Sequence, residues 1–222
     1  MTSGKHTLCI ISGPSGSGKT SIATQLHKRL TLKMMNKDGA LISPLKYHSI
    51  IVLHQDNYFT LPFILYNERK DDLYESDVGI DWDRLIFDIQ SLASKHPSTL
   101  VIVEGHLLGA ASKLFQSLVD SFDILAVLIN CGKQTCLDRR IQRKVRNADE
   151  SRELRKYYES FVWPSFLKYG IDSLNSLQML CMVGPGTEID NTEKGLYLLK
   201  IDTDNYSLDD CVAKILADIN EI

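Results

Sequence analysis

The chain is poor in every feature that would take it out of the ordinary interior of a cell. No apolar stretch approaches the length needed to cross a bilayer, and the opening MTSGKHTLCIIS has no long apolar segment of the kind a secretory signal carries. There is no excess of positive charge: the formal net charge is −3, which argues against bulk affinity for nucleic acid. The five cysteines (Cys9, Cys131, Cys136, Cys181 and Cys211) are odd in number, scattered, and form no C-x-x-C pair. They read as reduced structural thiols. None of the histidines has metal-site spacing, and no internal repeat, low-complexity tract or dividing linker is visible. A soluble cytoplasmic protein is expected, folded as a single domain over 1–222.

What the chain does have is a set of short, Ile-, Val- and Leu-rich runs separated by helical patterns. Leu8–Ile11, Ile50–Leu53, Leu100–Val103, Ile124–Ile129 and Leu196–Ile201 read as strands. They do not alternate polar with apolar, so both faces are expected to be covered, as in a parallel sheet. Thr20–Leu32, Asp83–Ala93 and Ser207–Ile219 carry apolar residues at helical spacing. The alternation predicts an α/β fold, a doubly wound, parallel, five-stranded sheet. Lys33–Leu45 and Pro185–Lys194 read as surface loops.

Directly after the first strand comes GPSGSGKT, which places Gly13, Gly18, Lys19 and Thr20 at the spacing G-x-x-x-x-G-K-[ST]. Glycines let the backbone wrap closely round phosphates, with its N–H groups and the next helix's N-terminus facing the anion. Gly13, Pro14, Ser15, Gly16, Ser17, Gly18, Lys19, Thr20 and Ser21 are therefore expected to bind a nucleotide. Lys19 would reach the terminal phosphates and the Thr20 hydroxyl would ligate Mg²⁺.

The acceptor of the terminal phosphate has to be read elsewhere. A regulatory GTPase should carry D-x-x-G and a late N-K-x-D; the first is absent, and NKDG at Asn36–Gly39 has its acid one place early and lies before the second strand. A motor usually has adjacent acids after an apolar strand, where this chain has the single Glu104 in LVIVEGHLLG. Glu104 is a candidate Mg²⁺ ligand, and His106 beside it reads as a local hydrogen-bonding residue. In SIIVLHQDNYFTLP, Asp56 lies just past the second strand, at the end of an α/β sheet where ligands bind. A carboxylate there could orient a substrate hydroxyl and take its proton, while Tyr58 and Phe59 offer flat faces to a sugar or heterocycle. CLDRRIQRKVRN, Cys136 to Asn147, reads as a helix dense in arginine. It is either a solvated basic face or a lid whose Arg139, Arg140 and Arg143 close over the phosphates; Lys144 and Arg146 read as solvated. Asp83, on its residues alone, reads as a helix N-cap.

In order, GPSGSGKT, HQDNYF, DWD, VIVEGHLLG, CLDRRIQR and ESFVWPSFLKYG resemble nicotinamide riboside kinases, which belong with the uridine–cytidine kinases among P-loop nucleoside kinases. The resemblance spans about Leu8 to Gly170. It implies a P-loop NTPase fold like that of nucleoside monophosphate kinases, with an arginine-rich lid at about 134–162. It implies ATP- and Mg²⁺-dependent transfer of the γ-phosphoryl group to a ribonucleoside 5′-hydroxyl. By resemblance Asp56 is the catalytic base and lies by the metal with Thr20, and Phe59 contacts substrate. Asp83 grips the ribose hydroxyls, Trp82 stacks on the pyridine ring, Arg140 is on the substrate side of the lid, and Arg139 and Arg143 are on the ATP side. Asp204–Ser207 would pass the adenine. The chain departs from the family at Val145, where a second lid aromatic would stand, in its longer charged lid, and over Leu61–Ile80. Uridine or cytidine is the second acceptor class, and a non-catalytic nucleotide-binding module a third reading. The expected partner is a small nucleoside, with no nucleic acid and no membrane; monomer and homodimer both stay open.

Overall fold

The computed structural model describes residues 5–34, 46–62, 64–182 and 195–222. The elements that frame the site are β1 (His6–Ser12), α1 (Lys19–Met34), β2 (Ser49–His54), α2 (Trp82–Ala93), β3 (Thr99–Gly105), α3 (Ser112–Gln116), β4 (Phe122–Asn130) and α4 (Lys133–Gln142). They are followed by α5 (Ala148–Tyr157), α6 (Trp163–Ser165), α7 (Ile171–Met182), β5 (Leu196–Asp202) and α8 (Leu208–Glu221). The loop expected from Lys33 begins inside α1; the rest of Lys33–Leu45, and Pro185–Lys194, lie outside the described residues.

The five strands form one parallel sheet in the order β2-β3-β1-β4-β5. β3 is buried along its whole length, as an unbroken apolar run covered on both faces requires. One face packs against α1 and α8 through Ile22, Leu26, Leu30, Val212 and Ile215. The other packs against α2, α3 and α7 through Leu85, Ile89, Phe115 and Leu177. A helix as short as α2 is marginal alone. Burial of Leu85, Ile86 and Ile89 at about 2 kcal/mol each is what holds it. All five cysteines are free and buried, and no described helix is long and apolar enough to cross a membrane.

β1 hands over to α1 on the first face, its neighbour β3 leads to α3 on the second, and its other neighbour β4 leads to α4, which packs in a third apolar cluster through Cys136 and Leu137. The chain therefore diverges on both sides of the C-terminal end of β1, and a crevice opens there.

The arginine-rich segment corrects one expectation. The helix read over Cys136–Asn147 is two helices with a corner between them. α4 stops at Gln142, and Arg146, expected to be solvated, donates from Nη1 to the carbonyls of Arg140 and Ile141, both at 3.0 Å. It closes the carbonyl end of α4. Asn147 opens α5: its side chain accepts from Glu150 N at 2.8 Å, and the Glu150 carboxylate accepts from Asn147 N at 3.1 Å. From Ala148 to Met182 the backbone stays helical, but π-turns at Tyr158–Val162 and Phe166–Gly170 flank Pro164, which has no N–H to give. These turns aim Val162, Phe166 and Gly170 at the crevice.

Where α7 crosses the turn after β3, Gly109 N donates to the Ser173 hydroxyl at 2.9 Å, and a Cβ on Gly109 would collide with the Ser173 backbone carbonyl. Because the obstacle is backbone, Gly109→Ala should cost roughly 1–3 kcal/mol or more. A urea titration should show a lower midpoint; an unchanged one would mean α7 is not seated there.

Candidate active site

The glycine loop is shaped by three positions. Gly16 and Gly18 both have φ of 95°, a left-handed conformation that other residues rarely adopt. A Cβ on Gly16 would strike the Cys136 carbonyl, and one on Gly13 would lie 2.6 Å from the Ile129 carbonyl oxygen. The loop thus presses down on the end of β4 and the start of α4. Above Gly18 there is open space within 4 Å of where a Cβ would sit. α1 begins at Lys19 with no acidic residue in its first turn, so the positive end of its dipole is uncompensated by the chain itself. Ser17 Oγ is buried without a hydrogen-bond partner among the described residues, and Ser21 is exposed. A cradle of this form fits a nucleotide's phosphates.

Lys19 is buried, and its Nζ donates to the Pro14 carbonyl at 2.8 Å. Burial pulls its pKa below the usual lysine value, and the charges of Glu104 and Asp56 oppose that shift. Glu104, 7% exposed, is held from two sides: its Oε1 accepts from Thr20 Oγ1 at 3.0 Å and lies 2.8 Å from His54 Nδ1. His54 and Glu104 meet because they are paired in the β2–β3 register. Thr20, Glu104 and the nearby Asp56 offer hard oxygen donors, which suits Mg²⁺. Among the described residues no group of three or more His, Cys, Asp or Glu could hold a metal unaided. Mg²⁺ held here would draw its remaining ligands from phosphate oxygens and water.

Asp56 sits in the turn Gln55–Tyr58 and is exposed, yet its charge is felt by Lys19, His106 and Glu75. Phe59 is half-buried, its ring 6.4 Å from that of His106. Tyr58 corrects an expectation. It is 5% exposed, its hydroxyl donates to Asp88 Oδ2 at 2.9 Å, and Arg84 lies over its ring. It is a core residue that pins the turn to α2 and offers no face to a ligand. Trp82 is half-buried against the same core. Asp83 is exposed in the first turn of α2, but the N-cap is Asp81, which accepts from Arg84 N at 3.0 Å.

The arginines of α4 and its C-terminal end divide by task. Arg139 is a brace: it donates to the Thr203 carbonyl at 2.8 Å, Thr203 Oγ1 at 3.1 Å and the Ser17 carbonyl at 3.4 Å. Thr203 itself donates to the Ser17 carbonyl, so the chain leading to Asp204–Ser207 runs beside the glycine loop. Arg140 Nη1 donates to Ser15 Oγ, and its guanidinium lies 5.8 Å above the Tyr158 ring. Arg143 and Val145 are exposed.

Several residues here escaped the sequence reading. Glu75 is buried, accepts from Tyr157 O–H at 2.9 Å, and shares a narrow cavity with Ser15, His106 and Phe166. Arg69 donates to the same Tyr157 hydroxyl at 3.1 Å and packs over the Tyr74 ring at 4.2 Å. Gln55 donates to His106 Nδ1 and accepts from Leu107 N. The signal for His54 was its place opposite Glu104 at the ends of adjacent strands. For Glu75 there was none, because short 3₁₀ turns carry no periodicity.

A glycine loop at the crevice beside β1, a buried lysine and strand-end carboxylates define a P-loop nucleotide-binding α/β domain. The sequence matches the AAA domain family over residues 9–157, and the chain belongs to that family. No curated protein matches it. Among solved structures it is similar to an uncharacterized protein from Eubacterium ventriosum, with TM-score 0.50, 16% identity and coverage of 98% of this chain and 100% of that one. It is also similar to a gluconokinase from Sinorhizobium meliloti (TM-score 0.49, 17% identity, 97% and 92% covered). A third similarity is to the tunicamycin resistance protein of Deinococcus radiodurans (TM-score 0.47, 14% identity, 97% and 96% covered). The first of these likenesses is one of fold.

Burial holds the Glu75 carboxyl above the usual carboxylate range, with Arg140, the Tyr157 hydroxyl and Arg69 opposing. A carboxyl whose pKa is raised on folding binds its proton more tightly folded than unfolded. Its contribution to stability is full below the unfolded pKa and is lost as pH rises through the folded one. Glu75→Gln should therefore raise Tm at pH 8, with the gain shrinking towards pH 4. A loss of Tm at pH 8 would show that the charged pairing with Arg140 and Arg69 outweighs the cost of burial.

Proposed function

We propose that the protein is an ATP- and Mg²⁺-dependent small-molecule kinase that phosphorylates the 5′-hydroxyl of a ribonucleoside, nicotinamide riboside first among them, giving nicotinamide mononucleotide. The observation that carries the kinase reading is the position of Asp56. It lies in the turn that follows β2 and starts directly after His54, which is paired with Glu104 at the strand ends where Glu104 accepts from Thr20. An exposed carboxylate beside the phosphate cradle suits taking the proton of an acceptor hydroxyl.

In the step, the acceptor oxygen forms a bond to the γ-phosphorus while the bond from that phosphorus to the β–γ bridging oxygen breaks. The hydroxyl proton passes to Asp56, and ADP leaves. Lys19 and Arg140 offset the charge on the transferring group from opposite sides. Thr20, Glu104 and Asp56 would hold Mg²⁺, which neutralises charge on the phosphate oxygens. Arg139 keeps the glycine loop and α4 in register. By the motif resemblance Arg143, exposed at the C-terminal end of α4, meets ATP.

The nicotinamide base rests on the motif resemblance, with Trp82 as the ring's stacking partner and Asp83 and Phe59 at the sugar. One observation favours uridine or cytidine as a second reading: Val145 at the lid corner is exposed and aliphatic, so the lid corner supplies no second aromatic wall.

Asp56→Asn should lower kcat by at least about a hundredfold, the scale of a lost general base. ATP affinity, read by equilibrium titration, should stay within a few fold. Retention of turnover would remove Asp56 from the base role. Asp83→Ala should raise the nucleoside KM and leave the ATP KM unchanged; equal shifts in both would reduce Asp83 to a surface residue of α2.

A further inference from the structure

The last side chain of β2 meets the carboxylate at the end of β3. Successive residues of a strand point to opposite faces, and Ile50 and Val52 of β2 pack on the α1 face, as do Leu100 and Ile102 of β3. His54 and Glu104 continue those two rows, and the parallel register pairs them directly. Thr20, in the first turn of α1, reaches the same pair. His54 Nδ1 lies 2.8 Å from Glu104 Oε1, and the Thr20 hydroxyl donates to that same oxygen at 3.0 Å. Glu104 bears a charge that the buried Lys19 feels, and a carboxylate oxygen accepts, so His54 meets it with an Nδ1–H donor. Both donors take Oε1, and Oε2 receives no hydrogen bond from the described residues. Thr20 spends its single proton there, which leaves the lone pairs of its oxygen free.

The next residue is fastened to the same strand end. Gln55 is fully buried, its Oε1 accepts from Leu107 N at 3.0 Å, and its amide nitrogen lies 3.2 Å from His106 Nδ1. A Cβ on Gly105 would collide with that amide, so the contact needs the glycine. The two residues before Asp56 are thus both latched to the end of β3. Gln55 is an internal link. His54 is different, because its side chain is 35% exposed and burial does not hold it. A partly exposed pair of this kind contributes little stability, so joining two strand ends is a poor account of it.

We propose that His54 is a positioning residue for the metal site: it holds Glu104 by Oε1, so that Oε2 and the Thr20 oxygen stay available to a divalent cation arriving with the nucleotide's phosphates. The proposal rests on the reading that Thr20 and Glu104 hold Mg²⁺. Two hard oxygens suit that ion, and His54 itself does not touch it. A hydrogen bond from behind fixes the rotation of a ligating carboxylate. Losing such a partner commonly weakens metal affinity by about ten- to a hundredfold.

The test titrates the full-length protein calorimetrically with the β,γ-imido analogue of ATP, once with Mg²⁺ and once with EDTA. The ratio of the two dissociation constants is the gain in affinity that the metal supplies. His54→Phe should cut that gain about tenfold or more and leave the EDTA value unchanged. His54→Asn, which restores a donor, should recover part of the gain. The Tm of nucleotide-free His54→Phe should stay close to that of the unmodified protein. An undiminished gain in His54→Phe overturns the proposal and leaves His54 a link between strand ends. So does weaker binding with and without Mg²⁺ alike, or His54→Asn no better than His54→Phe. Failure of the underlying reading looks different. Unmodified protein that shows no gain with Mg²⁺, or Glu104→Gln that keeps it in full, removes the metal site and the proposal with it.

Discussion

Lys19 carries its ammonium group to a place where water hydrates it poorly, and the rest of the crevice is arranged around that fact. A buried cation needs compensation. It is met at close range by the Pro14 carbonyl and at longer range by Glu104 and Asp56. Glu104 is in turn restrained by Thr20 and His54, so the two carboxylates belong to one electrostatic unit with the lysine. The glycine loop sets the geometry. It fits between the ends of β1 and β4 because Gly13 and Gly16 bring no Cβ against Ile129 and Cys136. A phosphate chain entering above Gly18 would meet Lys19 and the positive end of the α1 dipole.

The glycine loop is braced through its backbone by α4 and the end of β5, and its Ser15 also borders a narrow cavity. Arg139 and Thr203 tie α4 and the end of β5 to the loop backbone at Ser17. On the other side, π-turns around Pro164 bring Val162 and Phe166 to the cavity, and the Tyr157–Glu75–Arg69 group fixes a carboxylate there. Asp56 lies in the turn after β2. A buried acid held against its own preference for water is the kind of local cost that a binding site keeps and a purely structural core would shed.

Much of this was legible in the sequence because it is local. Each strand was marked by an apolar run bounded by polar residues, and the glycine loop by its spacing, so the sheet and the cradle followed directly. What was not legible depends on residues far apart in the chain. His54 reaches Glu104 through the β2–β3 register, and Thr203 reaches Ser17 across 186 positions. Tyr58 reads from sequence as a ring beside a candidate catalytic carboxylate; only the packing of α2 shows that its hydroxyl is taken by Asp88. The break between α4 and α5 was hidden because arginine density resembles a continuous helical face, while the decisive events were two caps made by Arg146 and Asn147. Glu75 lay in turns too short to show any period.

The central claim is that the crevice moves a phosphoryl group from ATP to an organic hydroxyl. Its most direct test is to mix the protein with ATP, Mg²⁺ and each of nicotinamide riboside, nicotinic acid riboside, uridine and cytidine. ADP release and product mass are then followed in the same reaction. The account predicts that at least one nucleoside gains a single phosphoryl group, with one ADP formed for each product molecule and little ADP without an acceptor. ADP formed at the same rate whether or not a nucleoside is present, with all the phosphate released to water, would contradict it.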